Sequence, residues 1–532
     1  MNKRQTIKVL RRIVMGSILT LGYSACSPFR PDVADSATIK EAWDEFSNPA
    51  DSARTKVWWF HGETETTREG ITADLEAYKR AGVGGVVYYD QVHGKGEHAL
   101  PAFSVEWWEM LKFAASEAKR VGLSFEINLS NGYVAGGPWI TKALSMQRLT
   151  ASDTIIRGKQ QFAAVLPAPG DDEFWDIAVL AFPVPQNQWM TNNSQRPKVT
   201  CNLPGVSAED FFCKKSRLTT IPPQQPGKSV YINLDFETSF TARSITYRVS
   251  KRSKASTGAM NVPGAPADEF YGSSYVKQPP LGQLEVSDDG INYSKVCDLK
   301  PIYQAAASRW DQKTVSFPAV TGRYFRLNLH DWCLAGDQRP EMALGNVTLS
   351  SRARIDQWEE RAGFYSEYIL KNLTPAYTDE EIIDLKTIVD LTSKMGTDGR
   401  LEWDVPEGDW VIMRFAHEST GGPSKHGRAN LKGLECDKMS VEAVTTQWNN
   451  YAARMIDTLS TINLKPDGVI MDSHEAGAQN WTPGFEQEFL RRKGYDLFSY
   501  LPAMMGYIVG SVAETDAFLY DLRRTVADVI SD

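Results

Sequence analysis

Short apolar runs alternate with amphipathic helical patterns in the first quarter of the chain. The runs cover residues 57–60, 85–89 and 123–129, and each is short enough to be a strand. A T-x-x-E capping box at Thr66 and a serine cap at Ser104 begin the two helices between them. Strand, helix, strand, helix, strand with short links indicates parallel βα units.

The pattern changes after about residue 150. Residues 186–228 are rich in Pro, Asn, Gln and Ser and show no helical period. Between residues 230 and 329, apolar and polar residues alternate in several short runs, which predicts a β-sandwich. The strings LEVSDDGINYSKV and TGRYFRLNL resemble a galactose-binding-like jelly roll. Such modules bind sugars or brace an enzyme, and because we find no sugar-contact motif here, we favour bracing.

Parallel-strand signals return in the last quarter of the chain, at residues 410–417 and 468–472. The sequence therefore predicts an α/β fold, a partial (β/α)8 TIM-type barrel with the sandwich inserted after its third strand. Two independent domains are the alternative. The five predicted barrel strands end at Phe60, Asp90, Leu129, His417 and Asp472.

The predicted domain boundaries follow these changes of pattern. They are a signal peptide at 1–26, the first part of the barrel at 45–155, an irregular or β connection at 156–228, the sandwich at 229–352, and the continued barrel at 353–532.

Charge and cysteine content exclude two classes of protein. The chain has 58 Lys+Arg against 66 Asp+Glu, a net charge of −8, and no basic run, so it lacks the electrostatic footprint of a nucleic-acid-binding protein. Its six cysteines form no C-x-x-C pair, which argues against a structural zinc site. Cys201 and Cys213 enclose a short loop and form the best candidate pair for a disulfide.

The N-terminus has the pattern of an export signal. Five basic residues among the first 12 precede an apolar run from Ile13 to about Tyr23, and small residues lead into Cys26. The apolar run is too short for a membrane-spanning helix. We expect Cys26 to be lipidated and the protein to be an exported bacterial lipoprotein of the outer membrane, facing the periplasm or the cell surface. Plain secretion is the alternative, because Tyr23 stands where a lipoprotein box usually has an aliphatic residue.

Candidate site residues lie at the carboxyl ends of the predicted strands, where parallel βα folds build their sites. Carboxylates, amides and histidines there suit polyol recognition and acid–base chemistry. The predicted substrate-binding residues are Asp90, Glu126, Asn128, Asn131, His417, Asp472 and His474.

Glu475 is the predicted catalytic residue. It follows a strand end and is flanked by Ala476 and Gly477, a suitable position for the proton donor of a glycosidase. The alternative is that acidic strand ends are common in any barrel and that Asp472 only caps the following turn. The sequence contains no HExxH, GxSxG, P-loop or strand-linked GxGxxG motif, which disfavours zinc proteases, serine hydrolases, NTPases and Rossmann enzymes.

Long strings in collinear order resemble glycoside hydrolase family 106, the α-L-rhamnosidases. The strings are TREGITADLEAYKRAGVGGV, NGYVAGGPWITKALSMQRL, GRLEWDVPEGDWVIMRF, GLECDKMS and MDSHEAGAQNWTPGFEQEFLRRKGYD. The resemblance implies removal of terminal α-L-rhamnose from a plant-type polysaccharide or glycoside by an inverting, calcium-assisted mechanism. It also implies that Glu475 is the general acid. The calcium ligands stay open; Glu435 and Asp437 are one candidate pair, and a salt bridge or a helix start is the alternative role for them.

The chain differs from the family in length, because family members are several hundred residues longer. Barrel strands six to eight and the water-activating base are expected beyond residue 532. We therefore expect the 532 residues alone to be poorly stable and not to hydrolyse rhamnosides. Two functions stay open, a glycosidase in full-length form and a non-catalytic sugar-binding lipoprotein derived from one.

Overall fold

The computed structural model describes eleven stretches of the chain. They are 36–92, 98–170, 173–186, 190–213, 218–223, 227–250, 280–302, 310–332, 341–364, 374–472 and 477–532. The predictions for Cys26, His474 and Glu475 lie outside the described residues. None of the helices described in these stretches is long and apolar enough to cross a bilayer.

Four strands form a parallel sheet, and they are Lys56–His61, Gly85–Asp90, Ser124–Asn128 and Gly468–Ile470 in that spatial order. The α-helices are Ser36–Ser47, Arg68–Arg80, Val105–Val121, Asn192–Gln195, Trp358–Arg361, Val441–Asn450, Ala452–Ser460, Phe485–Lys493, Leu501–Met504 and Val512–Ser531. The 3-10 turns are Asp51–Ala53, Ala208–Phe211, Asp379–Glu381, Leu385–Thr387, Thr392–Lys394, Ala429–Leu431 and Phe498–Tyr500.

The helices of the first βα units are delimited by local signals, as predicted. Ser104 accepts a hydrogen bond from the Trp107 amide at the start of Val105–Val121, and Gly122 ends that helix in the left-handed conformation at φ 76°. The preceding helix is capped by Thr67, one residue later than the predicted Thr66. The single helix predicted after Ser440 is interrupted at Tyr451, and its two parts are Val441–Asn450 and Ala452–Ser460.

One face of the parallel sheet is packed against helices, and the other is only partly covered, with Tyr89 buried there. Leu75 and Leu111 from the first two helices and Met455 from a later one cover the first face. On the opposite face, Trp58 and Phe60 are each 46% exposed. A parallel sheet is normally covered on both faces. The described residues form no closed barrel, so the structure confirms an α/β fold with mixed sheets but not the predicted barrel.

A second sheet is antiparallel, and it contains the strand around residues 410–417 that the sequence predicts for the barrel. Trp410–Ser419 pairs with Gln147–Ile156 on one side and with Phe174–Pro183 on the other, and Val389–Asp390 adds a fourth strand. The prediction that the strand ending at His417 is the fourth strand of the barrel is therefore wrong. An apolar run such as WVIMRFAH is typical of any strand that is buried on both faces. Whether that strand is parallel or antiparallel depends on the strands that pair with it.

The largest sheet has seven antiparallel strands and its own apolar core. Its strands are Lys198–Cys201, Thr219–Ile221, Val230–Val249, Gly282–Ser287, Ser294–Leu299, Gln312–Leu329 and Met342–Ser350. The two longest strands, Val230–Val249 and Gln312–Leu329, are neighbours in the middle of the sheet, and β-bulges interrupt their pairing. They make these strands one continuous sheet, so the predicted sandwich is not confirmed as two separate sheets.

Two smaller pairings complete the described strands. Gln160–Val165 pairs with Arg400–Val405, and Gly136–Gly137 pairs with Leu434–Glu435. Cys201 and Cys213 are free thiols, and the Cys201 Sγ contacts the carbonyl oxygen of Val206 at 3.3 Å. The disulfide predicted from their spacing is therefore not formed.

Candidate active site

The carboxyl edge of the parallel sheet gathers polar side chains from all four strands. His61 and Asp90 are paired in register at the ends of the first two strands, and Asn128 is paired with Ile470 at the ends of the other two. Asp472 follows two residues after Ile470. The structure therefore brings Asp90, Asn128 and Asp472 to one edge, as the sequence predicts.

Asp472 is oriented by a tyrosine from the second strand. The Tyr89 hydroxyl donates a hydrogen bond to the Asp472 carboxylate, although 383 residues separate the two in sequence. Tyr89 is fully buried, and its ring lies 5.6 Å from that of Trp58 and 5.3 Å from that of Phe60. The aromatic cluster on the partly covered face of the sheet thus fixes the carboxylate that precedes Glu475.

Asp90 is occupied by donors from the protein itself. Its Oδ1 accepts from the Arg428 Nη2 at 2.6 Å and from the Arg428 Nε at 2.8 Å, and its Oδ2 accepts from the Tyr451 hydroxyl at 3.2 Å. Burial and the Asp90 charge raise the pKa of Tyr451 well above its ordinary value, so this hydroxyl stays a donor. The substrate-binding role of Asp90 stays a prediction. In the structure its carboxylate anchors the 420–437 loop to the strand edge through Arg428.

Asn128 uses its side-chain nitrogen but not its side-chain oxygen in hydrogen bonds with the described residues. Its Nδ2 donates to the carbonyl oxygens of Ser130 and Gly132 at 2.8 Å and 3.0 Å. Its Oδ1 is buried and accepts no hydrogen bond from the described part of the chain. A buried acceptor without a donor is costly, so this oxygen is suited to receive a sugar hydroxyl or a water.

The 420–437 loop is fastened to the loop that follows the third strand. The Asn131 Oδ1 accepts from the Arg428 amide at 2.9 Å, and the Tyr133 amide donates to the Lys425 carbonyl oxygen at 3.2 Å. Gly132 has φ 92°, and a Cβ there would lie 2.0 Å from that same carbonyl oxygen. Only glycine permits this close approach at position 132. Because Asn131 accepts the Arg428 amide, it helps to hold the two loops together, in addition to its predicted contact with substrate.

Two of the predicted substrate-binding residues lie away from this edge. Glu126 is two residues before the strand end, and its carboxylate pairs with Lys56 across the middle of the sheet. His417 belongs to the antiparallel sheet, where its Nδ1 lies 3.2 Å from the Gln147 Oε1 and its ring stacks on Trp175. Burial lowers the pKa of His417 to about 4, so the imidazole is neutral at physiological pH.

The candidate calcium ligands Glu435 and Asp437 are already engaged. Glu435 is fully buried; its Oε1 pairs with Lys438, and its Oε2 accepts no hydrogen bond from the described residues. Asp437 accepts from the Gln479 side chain, from the Thr482 hydroxyl at 2.6 Å and from the Met439 amide at 2.8 Å. Calcium takes six to eight oxygen ligands, and the described stretches contain no group of three His, Cys, Asp or Glu side chains placed to hold a metal. These residues therefore do not fit a calcium site.

Three residues important to this edge were missed from sequence. No sequence motif contains His61, Tyr89 or Arg428, and Arg428 lies in a polar loop. The strand-end rule that singled out Asp90 applies equally to His61, the last residue of the first strand. No local signal identifies Arg428, because its partner Asp90 is 338 residues away.

His61 makes stability depend on pH. Burial, and then the charge of Arg428, lower the pKa of His61 to about 3 from an ordinary 6.5. Below pH 6.5 the unfolded chain binds a proton that the folded protein does not, so this stability is present above the unfolded pKa and is lost as pH falls. We expect the free energy of unfolding to fall by up to about 1.4 kcal/mol per pH unit in this window from His61 alone.

The variant His61→Phe keeps a ring against Tyr88, 4.4 Å away, and removes the titration. Urea denaturation between pH 4 and 6.5 should show a shallower pH slope for this variant than for the native protein. The same change at exposed His98 is the control and should leave the slope as it was. An unchanged slope in His61→Phe would show that other groups carry the dependence.

A parallel βα sheet whose carboxyl edge carries carboxylates and amides places the protein among the α/β enzymes that act at strand ends. The chain belongs to glycoside hydrolase family 106, alpha-L-rhamnosidase, whose family profile matches residues 47–532. The fold is similar to that of a rhamnosidase from Novosphingobium sp. PP1Y, with 28% identity, a TM-score of 0.74, and coverage of 92% of this chain and 44% of that one.

A second relative carries a different name. A protein of Formosa agariphila, named provisionally as a β-glucuronidase, is 24% identical over 518 residues, which are 97% of this chain and 30% of that protein. The chain thus spans less than half the length of both proteins.

Proposed function

We propose that the protein carrying this chain is a glycoside hydrolase that removes terminal α-L-rhamnose from a plant-type polysaccharide or glycoside. The observation that carries the proposal is the family match over residues 47–532, together with the polar strand edge that leads into Glu475. The substrate is a neutral sugar. The family match to α-L-rhamnosidases favours a neutral sugar, and the guanidinium of Arg428 at this edge is already paired with Asp90.

The proposed mechanism is inverting. Glu475 gives its proton to the glycosidic oxygen as the bond from that oxygen to the anomeric carbon breaks. A second carboxylate takes a proton from the water that attacks the anomeric carbon from the opposite face. The products are the free alcohol and L-rhamnose of inverted anomeric configuration. The Asn128 Oδ1 and Asp472 are the neighbouring groups suited to accept hydrogen bonds from sugar hydroxyls.

We propose that the water-activating base is none of the three carboxylates nearest to the predicted strand ends. These three are Asp90, Glu126 and Glu418. Each is held by a cation, Asp90 by Arg428, Glu126 by Lys56, and Glu418 by the Arg148 Nη2 at 2.7 Å. Because these cations already engage all three carboxylates, we place the base outside this set.

The test is hydrolysis by the full-length protein. We expect release of rhamnose from an aryl α-L-rhamnoside and none of glucuronic acid from the matching β-D-glucuronide. Proton NMR of the first turnovers should show the inverted anomer. Cleavage of only the glucuronide, or retention of configuration, would contradict the proposal.

Calcium dependence and export belong to the same proposal. If the family's calcium takes part, its ligands lie apart from Glu435 and Asp437, and dialysis against EDTA should lower the rate until calcium is restored. If Cys26 is lipidated, the activity should sediment with the outer-membrane fraction and be released by replacing Cys26 with alanine. Activity that stays soluble in the native strain would contradict the anchor.

A further inference from the structure

A cavity lies away from the strand edge, between helices and turns of the C-terminal part of the chain. It has a volume of about 400 Å³ and is walled by the Leu385–Thr387 turn, the turn around Phe498–Tyr500 and the Val512–Ser531 helix. This volume is within the range of about 300–1,000 Å³ that small-molecule sites occupy. None of its lining residues belongs to the candidate active site.

Aromatic rings form the floor of this cavity. Tyr500 stacks on Phe518 with ring centroids 5.1 Å apart and an interplanar angle of 18°. Tyr495 meets Tyr500 edge-on at 5.8 Å and is itself packed on Phe489. Both rings of this stacked pair line the cavity, so Phe518 fixes the position of the Tyr500 ring there. The ring is thus held rigidly, which lowers the entropy cost of stacking a ligand on it.

Carboxylates line the rim of the same cavity. Asp521 accepts from the Tyr495 hydroxyl at 3.2 Å and pairs with Lys493 at 3.1 Å, and Asp496 accepts from the Phe498 amide at 3.0 Å. Glu514 has no hydrogen-bond or ion-pair partner for its carboxylate among the described residues. Burial of Tyr500, and then the negative charge of Glu514, raise the pKa of Tyr500, so the Glu514 carboxylate lies close to the aromatic rings.

This combination selects for one class of ligand. Three carboxylates against a single lysine disfavour an anionic ligand such as a uronic acid. Rigid rings offer an apolar surface to the C–H face of a pyranose, and carboxylate oxygens accept strong hydrogen bonds from neighbouring hydroxyl groups. The apolar side chains of Leu385 and Ala517 on the cavity wall suit the methyl group of a 6-deoxy sugar.

We propose that this cavity is a second binding site, for a neutral glycosyl residue of a polysaccharide, separate from the site of hydrolysis. The choice of a sugar over another neutral ligand rests on the proposed function. The site retains a polymer at the enzyme without touching the bond that is cleaved, so small aryl rhamnosides should be turned over without it.

The test is affinity gel electrophoresis in a neutral rhamnan, with the Glu475→Gln variant as background so that the polymer is not cut. Tyr500→Ala removes the stacking ring, and Ala517→Trp fills the cavity from an exposed helix position. We expect each to weaken retardation by about tenfold or more. Tyr520→Ala is the matched control, because Tyr520 is on the same helix, is 61% exposed and lies outside the cavity.

Several outcomes would overturn the inference. They are native retardation of both Tyr500→Ala and Ala517→Trp, equal loss in Tyr520→Ala, absence of rhamnan binding by the parent protein, or equal binding of polygalacturonate at this site. Failure of the proposed function is seen separately, as lack of rhamnose release from an aryl rhamnoside. Ala517→Trp in the otherwise native protein should leave that release unchanged.

Discussion

Glu475→Gln should lower the turnover of natural rhamnosides by about 10²–10⁴, the usual contribution of general acid catalysis. Glutamine keeps the shape of the side chain and removes the proton that the leaving oxygen needs. The loss should be smaller for a nitrophenyl rhamnoside, because nitrophenolate leaves without protonation. Glu475 itself is outside the described residues, but the residues on both sides of it are anchored, Asp472 by Tyr89 and Gln479 by Asp437.

The measurement is kcat/KM for a natural and a nitrophenyl rhamnoside on the protein in its active length. Glu442→Gln is the matched control, since Glu442 is exposed in the first turn of a helix and should tolerate the change. The difference between the two substrates is what separates an acid from a residue that only binds sugar. Native turnover of the natural rhamnoside, or an equal loss on both substrates, would exclude Glu475 as the acid.

Arg428→Met should cost about 3–5 kcal/mol of unfolding free energy, the usual effect of removing one partner of a buried ion pair. The Asp90 and Arg428 side chains are 0% and 2% exposed, so the remaining carboxylate would have no water to replace the guanidinium. Tyr451 and Trp107 stay as donors at 3.2 Å and 3.4 Å, but neither carries a charge. The loss should also loosen the 420–437 loop, because the Arg428 side chain fastens this loop to Asp90; the hydrogen bond from the Arg428 amide to Asn131 is retained in the variant.

Urea denaturation of the chain measures this effect, with Arg323→Met as the control. Arg323 pairs with Asp235 at 3.1 Å, but the two side chains are 47% and 38% exposed, and exposed pairs contribute about 1 kcal/mol or less. The double variant Asp90→Leu with Arg428→Met should lose less than the two single losses added, because it leaves no unpaired buried charge. Additive losses would mean that the pair is not coupled.

These two predictions rest on different kinds of information. Glu475 came from the sequence, by its place after a strand and by the DSHEAG string. Arg428 came from the structure, because the loop between residues 420 and 437 has no pattern that points to a strand edge. Glu126 gives a second example of this contrast. The sequence places Glu126 near the end of a strand, whereas the structure shows it in the middle of the strand with its carboxylate paired with Lys56.

The sequence by itself determined the local elements of this protein. The ends of the Val105–Val121 helix follow from Ser104 and Gly122, because caps and intrahelical hydrogen bonds join residues only a few positions apart. The Gly85–Asp90 strand follows from its apolar run between two turns. The long collinear strings also indicated the family, which the profile match confirms over residues 47–532.

Only the tertiary structure decided how distant segments pair. The Trp410–Ser419 run reads equally well as a parallel or an antiparallel strand, and its neighbours Gln147–Ile156 and Phe174–Pro183 made it antiparallel. Likewise Asp90 became an ion-pair partner because the fold brings Arg428 to it across 338 residues. Such pairings depend on which surfaces exclude water together, and that is a property of the whole packed chain rather than of any local stretch.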